Sequence, residues 1–444
     1  MQKKPVRILL WILLGLAVIV GLYYLPPIHS RLSWRVDNLR TQIKYYFNPP
    51  DEAIFQPSAI EPTSLIGDAT LEALQTLAPT ATPEGVVSTP LPTLTPTIVP
   101  TAIPERVELD GVVYVDQQNR WNYCGPANLT MALNYWGWEG TRDDVAKVVK
   151  PGVAEIKDFI QAGKTDKNVM PYEMLDFANE QAEFAGVIRH GGDVELLKKL
   201  IAAGFPVIVE KGYYERDYTG YVGWLGHYQF VTGYDDATGE IIVQDTYNDG
   251  PDFHIAYEEF DDGWRSFNYL FIVIYPRERG QEAEQLLGLW QDEMWANQHA
   301  LEIAEEETAT QEGNDEFFAW FNKGTSLVQL QRYGEAASAY DQAFVLYAGL
   351  EQGGDRPRSY RITWYQTGPY WAYFYSGRYQ DVSELATKTL TFPKEQTLEE
   401  SLYWRAMAEY ALGNYGIALE DMRETVRLNP NFGPGIFQLQ QWGG

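Results

Sequence analysis

The chain has 444 residues, which at about 100 to 200 residues per domain corresponds to two or three folded units. Hydrophobic residues make up 45% of it and aromatic residues 14%, as in globular rather than disordered proteins. The net charge of −27 argues against a nucleic-acid partner, because affinity for phosphate comes largely from Lys and Arg. The single cysteine excludes an intramolecular disulfide and a zinc site built from several thiolates.

The first segment, residues 1–27, carries an uncharged apolar run from Ile8 to Leu25, preceded by Lys3 and Lys4. As a helix rising about 1.5 Å per residue, this run would be roughly 27 Å long, which nearly matches a bilayer core. No small-residue cleavage site follows it, so we predict an uncleaved signal anchor rather than a cleaved signal peptide. The basic residues before the run favour a cytoplasmic N-terminus.

Residues 28–78 form a juxtamembrane segment. Between residues 28 and 47, apolar residues recur at helical spacing with basic residues between them, as in a helix that lies on an anionic membrane or packs against a partner. Residues 79–105 contain seven prolines and seven threonines and no hydrophobic period, so we predict a linker. At about 3.1 Å per residue the extended linker could reach roughly 80 Å. Such stalks are commoner outside the cytoplasm.

Residues 106–277 combine helical patterns in the first half with strand patterns in the second half, which predicts an α+β domain. The stretch NLTMALNYW has a helical apolar stripe, and VELLKKLIAAG predicts a helix that Gly204 ends. The later stretches FPVIVEKGYY, HYQFVTGY, EIIVQD and NYLFIVIY have the composition of strands. A helix therefore precedes a sheet within this domain.

Cys124 directly precedes Gly125 and Pro126, and proline is favoured in the first turn of a helix. The sulfur is therefore expected at a helix N-terminus, where the macrodipole and unpaired N–H groups stabilise an anion and lower the thiol pKa. A buried structural thiol is the alternative for an isolated cysteine. The position indicates a nucleophile.

A thiolate of this kind needs a partner base, and His227 is the best candidate of the five histidines. It opens a strand that the turn DDATG connects to the strand EIIVQD. A hairpin centred near Asp236 and Ala237 places His227 opposite Asp245 or within one residue of it, on one face of the ladder. Asp245 would then orient the imidazole and stabilise its charged form.

An amide donor near the sulfur is also expected. Gln118 precedes Cys124 by six residues, so a loop can turn its NH2 group toward the carbonyl that the sulfur attacks. Together with the backbone N–H of Cys124 it would form an oxyanion hole. The adjacent Gln117 is the alternative donor.

These residues together resemble a known family. The stretch from Gln118 through Cys-Gly-Pro-Ala, the GFPVIV strand and GHYQFVTGYDDATGEIIVQD, in this order, are similar to the bacteriocin-leader-processing (double-glycine) peptidases and their stand-alone relatives, a branch of the papain-like cysteine peptidases. The resemblance covers residues 106–277. It implies a papain-like fold with Cys124 as nucleophile, His227 as general base and acid, Asp245 as orienter and Gln118 as oxyanion donor.

The sequence departs from the leader-processing exporters in one respect. No ABC-transporter segments follow the peptidase-like region, so specificity for double-glycine leaders is not carried over. The resemblance leaves the substrate open. His190 and His254 lack a comparable partner in the sequence and are expected to be structural or exposed.

Residues 281–444 show internal self-similarity after an acidic helix expected around residues 281 to 312. One stretch strongly resembles a tetratricopeptide repeat; its expected packing positions are Trp320, Gly324, Leu327, Tyr333, Ala336, Tyr340 and Ala343. Two weaker copies follow, with turn tyrosines at Tyr379 and Tyr415, and an insertion around LEQGGDRPR separates the first pair of copies. Stacked helix pairs usually present a concave face to peptides or partner proteins, although they also simply support a neighbouring domain.

The sequence therefore predicts a single-pass protein of a bacterial cell membrane: an N-terminal transmembrane helix, an α+β papain-like cysteine peptidase domain outside the cytoplasm, and an all-α tetratricopeptide-repeat domain. It would hydrolyse peptide bonds of a peptide or protein substrate, with a protein partner or substrate held by the repeats. No cofactor or metal is required. A non-catalytic peptide-binding scaffold and an acyl transferase (transpeptidase) with the same nucleophile are the alternatives.

Overall fold

The computed structural model describes residues 23, 54–58, 103–117, 122–151, 167–216, 222–247, 249–391 and 398–444. The predicted membrane span, the amphipathic segment and nearly all of the Pro/Thr-rich linker lie outside these residues. Within the described part of the chain, no helix is both long and apolar enough to cross a membrane. Residues 104–444 belong to one compact unit, together with the short segment 54–56.

The centre of the first half is one antiparallel sheet, which has seven strands among the described residues. The strands are β1 Arg106–Glu108, β2 Phe184–Arg189, β3 Val207–Arg216, β4 Val222–Asp235, β5 Glu240–Asp245, β6 Gly250–Ala256 and β7 Phe271–Pro276. Their order is β2-β7-β3-β4-β5-β6, with β1 paired to β4. The four predicted strands are present, whereas β1, β2 and β6 were missed. The FAGVIR sequence of β2 has no clear alternation of apolar and polar residues.

Among the described residues, five helices accompany this sheet. They are α1 Cys124–Tyr135, α2 Arg142–Val149, α3 Pro171–Glu180, α4 Val194–Ala202 and α5 Tyr257–Arg265. The prediction of a helix that begins at Cys124 and of one that ends before Gly204 is confirmed. Gly204 adopts a φ of +80°, which a residue with a side chain rarely does.

Alternate residues of the central strands face two separate cores, as a period of two requires. One face carries Ile208 and Phe230, which pack against α1 through Leu129. The opposite face carries Val209 and Val231, which belong to the core that includes the apolar residues of α4 and α5. The sheet is therefore buried on both faces, and α1 lies against the β3–β4 pair.

The described residues from 280 onward are mostly helical. The helices are α6 Gly280–Leu287, α7 Glu293–Thr310, α8 Gly313–Gln329, α9 Tyr333–Gly349, α10 Ile362–Tyr365, α11 Gly368–Tyr375, α12 Tyr379–Thr391, α13 Glu399–Ala411, α14 Tyr415–Leu428 and α15 Gly433–Gln441. The predicted acidic helix is in fact two helices, α6 and α7. The break falls at Gly288, which has a φ of +58°, and Asp292 then caps α7 by accepting bonds from the N–H groups of Met294 and Trp295.

Three helix pairs follow one another in this region, with Tyr333, Tyr379 and Tyr415 each at the first position of the second helix. In the first pair, Gly324 allows close approach, because a Cβ there would lie 2.7 Å from the ring of Tyr340. Leu327, Ala336, Tyr340 and Ala343 are buried as predicted, and Trp320 is half-buried. The predicted insertion is the 18-residue connection 350–367, which contains α10.

The helical region and the α+β region share one continuous apolar core. Trp224 of β4 packs on Phe267 and on Phe318 of α8, with ring centroids 5.5 and 5.6 Å apart. A buried ion cluster joins the same two regions: Nζ of Lys167 lies 2.7 Å from Glu173 beside it and 3.0 Å from Glu399 of α13. The helical region is therefore packed against the α+β region rather than tethered to it.

Phe55 belongs to the predicted juxtamembrane segment and packs into the helical region. Its ring lies 5.0 Å from that of Phe344 and 5.9 Å from that of Tyr373. Nζ of Lys388 donates a hydrogen bond to the carbonyl oxygen of Ile54 at 2.7 Å. Phe55 is 4% exposed, so burial of its ring stabilises this attachment by about 1.5–3 kcal/mol.

Replacing Lys167 with Met tests the ion cluster. We expect the free energy of unfolding to fall by about 3–5 kcal/mol, because two buried carboxylates lose their cation. Urea denaturation of the full chain measures the change. Lys147→Met is the control, since the Lys147–Asp144 pair is exposed to solvent and contributes little to stability. Equal losses in the two variants would contradict the assignment.

Candidate active site

Cys124 is the first residue of α1, and its side chain is half-buried. Pro126 lies in the first turn, where its missing N–H removes no helical hydrogen bond. The first N–H groups of α1 have no acceptor within the helix and, with the macrodipole, favour negative charge at this end. The local sequence therefore places the sulfur where a thiolate is stabilised.

Asn128 joins the start of α1 to strand β4. Its Nδ2 donates to the carbonyl oxygens of Cys124 and of Tyr228, each at 2.9 Å. The side chain is fully buried, where hydrogen bonds are strong and unmade ones are costly. Because Tyr228 directly follows His227, this amide fixes the distance between the two predicted catalytic residues. The sequence analysis missed Asn128, although a polar residue one turn after Cys124 inside an apolar stripe is a usable signal.

His227 and Asp245 come together as expected, but not in the expected register. Phe230 pairs with Gln244, and a bulge between Val231 and Gly233 shifts the ladder, so the continued register sets Asp245 opposite Gln229. The prediction that His227 lies opposite Asp245 or within one residue of it is therefore wrong, because the offset is two positions. Because two positions along a strand return to the same face, the side chains still meet diagonally.

The His227–Asp245 contact is buried, with both residues 4% exposed. Nε2 of the imidazole lies 3.2 Å from Oδ2 of Asp245, an ion-pair distance without the alignment of a hydrogen bond. The carboxylate is held in place by Nε2 of Gln229 at 2.7 Å and by the backbone N–H of Tyr247 at 2.8 Å. Gln229, which the sequence analysis missed, therefore orients Asp245.

The electrostatics of the site favour a thiolate–imidazolium pair. Burial lowers the pKa of His227, but the charges of Asp245 and of the Cys124 sulfur outweigh it and raise that pKa to about 10. Burial raises the pKa of the Cys124 thiol, but the hydrogen bond and charge of His227 outweigh it, and the pKa is lowered. Asp245 is buried too, yet the imidazolium holds its pKa below the usual range. The protonation state of each of the three groups therefore depends on the charge of the group beside it.

Glu210 lies on β3 opposite Tyr228 and is 4% exposed. Burial and the negative charge of Cys124 raise the pKa of this carboxyl well above its usual range. Burial therefore favours the neutral form of Glu210, which does not compete with the thiolate for the imidazolium. The sequence analysis did not single out this residue, since burial of a strand glutamate is not visible in its neighbours.

Of the two predicted amide donors, Gln118 lies outside the described residues. Gln117 is buried and pairs with Thr246: its backbone N–H donates to the Thr246 carbonyl at 2.9 Å, and its Oε1 accepts from the Thr246 hydroxyl at 2.9 Å. The amide oxygen of Gln117 is therefore committed to the strand that follows Asp245.

A cavity of about 490 Å³ adjoins the Asp245 side of this site. Its lining includes Asp245 and Gln229, the rings of Tyr213 and Tyr247, and residues of the helical region such as Phe318. The ring centroids of Tyr213 and Tyr247 lie 5.7 and 6.4 Å from that of His227. Aromatic side chains therefore surround the imidazole on the side of this cavity.

The other described histidines lie in different surroundings. Burial lowers the pKa of His190 to about 4, so it is neutral. Nδ1 of His254 lies 3.0 Å from Glu240 in an exposed pair. His299 stacks on Trp295 with ring centroids 4.8 Å apart. The expectation that His190 and His254 are structural or exposed agrees with these positions.

The helix that begins at Cys124 packs on an antiparallel sheet, an α+β architecture of papain-like type. Residues 110–271 match the model of the Peptidase_C39 like family, so this part of the chain is similar to C39-like peptidases. A solved structure described as a C39-like peptidase from Bacillus anthracis is 19% identical, with a TM-score of 0.31, over 39% of this chain and 99% of that chain. No curated protein matches the chain.

Replacing His227 with Ala tests the thiolate pair. In the parent chain, the rate of Cys124 alkylation by iodoacetamide should rise with pH through a midpoint below the ordinary thiol value, because the thiolate forms above its lowered pKa. In His227→Ala the midpoint should move to higher pH, since burial remains and the positive charge is lost. A pH–rate profile of labelling at this single cysteine measures both.

His254→Ala is the matched control, because His254 pairs with an exposed carboxylate on the same sheet. Its alkylation profile should equal that of the parent chain. The assignment fails if His227→Ala and His254→Ala give the same profile.

Proposed function

We propose that the chain is a thiol-dependent peptidase that hydrolyses peptide bonds with Cys124 as nucleophile, His227 as general acid and base, and Asp245 as the residue that orients His227. One observation carries the proposal. The sulfur at a helix N-terminus adjoins a buried imidazole that is itself held by a buried carboxylate. The match of residues 110–271 to a peptidase family supports the same reaction class.

The mechanism follows from these charges. The thiolate attacks the substrate carbonyl carbon and pushes the electron pair onto oxygen. The imidazolium of His227 protonates the leaving amine, so the peptide bond breaks and an acyl-enzyme with a thioester remains. Neutral His227 then takes a proton from water, the hydroxide adds to the thioester, and the acid product leaves with the thiolate restored.

The oxyanion would be stabilised by the backbone N–H of Cys124 and by the side-chain amide of Gln118. We favour Gln118 over Gln117 because the Gln117 side chain is buried and held against Thr246. Loss of one such donor typically lowers the rate by about 100- to 1000-fold. These two donors and the N-terminus of α1 would together stabilise the negative charge on the substrate oxygen.

We further propose that the helical region is a tetratricopeptide-repeat array, attached to a membrane through the N-terminal apolar run with the peptidase outside the cytoplasm. Three successive helix pairs with tyrosines at matching positions support the repeat assignment. The Gly324–Tyr340 contact is the close packing expected within such a pair. The array would bind a peptide or protein partner.

Substitutions of Cys124 and Asp245, and the pH dependence set by His227, test the proposal. Cys124→Ala should reduce cleavage of a peptide library to background, and Asp245→Asn should lower it by about 100- to 10,000-fold, because the imidazolium loses its counter-charge. The parent activity should fall as the pH rises through about 10, where His227 loses its proton. Mass spectrometry of the products measures each rate.

Glu240→Gln, which changes a carboxylate on the same strand as Asp245, is the control and should keep the parent rate. Cleavage by Cys124→Ala at the parent rate would refute a thiol mechanism. Products extended by an added amine, in place of hydrolysed ones, would show acyl transfer instead of hydrolysis.

A further inference from the structure

The connection between α9 and α11 crosses the peptidase-like domain beside Cys124. We name residues 360–366 the crossing segment. Nδ2 of Asn168 donates to the carbonyl oxygen of Trp364 at 3.1 Å, and Nε2 of Gln366 donates to the carbonyl oxygen of Ser266 at 2.7 Å. The segment is thus attached at two places that are far apart in the sequence.

These two attachments lie on opposite sides of the site. Val169, next to Asn168, packs against the start of α1, because a Cβ on Gly125 would lie 3.0 Å from the Cβ of Val169. Ser266 directly follows α5 and leads to Phe267, whose ring lies against β4. The crossing segment therefore runs from the Cys124 side to the His227 side.

Tyr365 is the residue of this segment that lies against β4 next to His227. A Cβ on Gly226 would lie 2.9 Å from Cδ1 of Tyr365, so the ring touches the backbone immediately before His227. Its ring centroid lies 5.7 Å from that of Trp224 and 5.9 Å from that of Phe267, each edge-on. These contacts fix the ring in place.

The titration of Tyr365 agrees with this position. Burial raises the pKa of its hydroxyl to about 12, and the negative charge of Cys124 adds to the increase. The ring and the sulfur are therefore near enough to interact electrostatically. The matched family region ends at residue 271, so Tyr365 comes from outside it.

We propose that Tyr365 is a specificity-determining residue of the peptidase site: its ring limits the size of the group that can reach the Cys124 sulfur. The inference rests on the proposed function, since it assigns a steric role within that site. The helical region then supplies one wall of the substrate cleft. A substrate with a bulky side chain against this wall is excluded.

The test compares two haloacetamides of different size at the single cysteine of the full chain. Iodoacetamide and a naphthyl-substituted iodoacetamide react by the same chemistry, so the ratio of their rates reports space rather than thiol reactivity. In Tyr365→Ala the bulky-to-small rate ratio should rise by about tenfold or more over the parent chain. Tyr365→Phe retains the ring and should keep the parent ratio.

Tyr360→Ala is the control within the same segment, because Tyr360 packs over Gly223 at the far end of the segment. Thermal unfolding checks that each variant is folded. Should Tyr365→Ala unfold, Tyr365→Leu keeps apolar contact with Trp224 and Phe267 and should still raise the ratio. An unchanged ratio in the folded variant overturns the proposal.

Failure of the proposed function gives a different result. A parent thiol that reacts with iodoacetamide no faster than a free cysteine at neutral pH would contradict the peptidase proposal, whatever the bulky-to-small rate ratio. An activated thiol with the same ratio in Tyr365→Ala and in the parent chain would sink only the role of Tyr365.

Discussion

The chemistry of this protein depends on a charge balance inside a site from which water is largely excluded. A buried imidazole would ordinarily be neutral and a buried thiol protonated, because burial disfavours the charged form of both. Here Asp245 supplies the charge that keeps His227 protonated, and His227 in turn stabilises the sulfur anion. The hydrogen bonds of Gln229 and of the Tyr247 backbone to Asp245 are therefore as important as the imidazole itself.

Several features of the fold serve this balance. Asn128 ties the first turn of α1 to β4, burial favours the neutral form of Glu210, and the crossing segment places Tyr365 over the backbone beside His227. The last of these comes from the helical region, which shares a core and a buried ion cluster with the α+β region. Support of the peptidase-like domain is thus a physical role of the helices, in addition to any partner that they bind.

The sequence correctly predicted the features that are encoded by residues close together in the chain. The helix at Cys124, the β4–β5 hairpin and the tyrosines that open α9, α12 and α14 follow from proline placement, alternation and repeat spacing. The sequence did not predict the features that depend on contacts between residues far apart in the chain. The β4–β5 turn is centred one residue later than predicted and a bulge shifts the ladder by one position, so Asp245 lies two positions from the residue opposite His227. Gly288 split one expected helix, and Gln229, Glu210 and Tyr365 have their roles only through neighbours remote in the chain. Gln118 stays a prediction.

Because Phe55 packs into the helical region, the length of the Pro/Thr-rich stretch has a different consequence from that expected of a spacer. Residues 54–56 and the described residues from 104 onward belong to the same compact unit. The Pro/Thr-rich stretch therefore connects two points of that unit, and doubling the length of such a loop costs only about 0.6 kcal/mol of closure entropy. If the apolar run near the N-terminus anchors the protein, as proposed above, the chain between that run and residue 54 alone sets the height of the peptidase-like domain above the bilayer. The length of the Pro/Thr-rich stretch is then free to vary without moving the site.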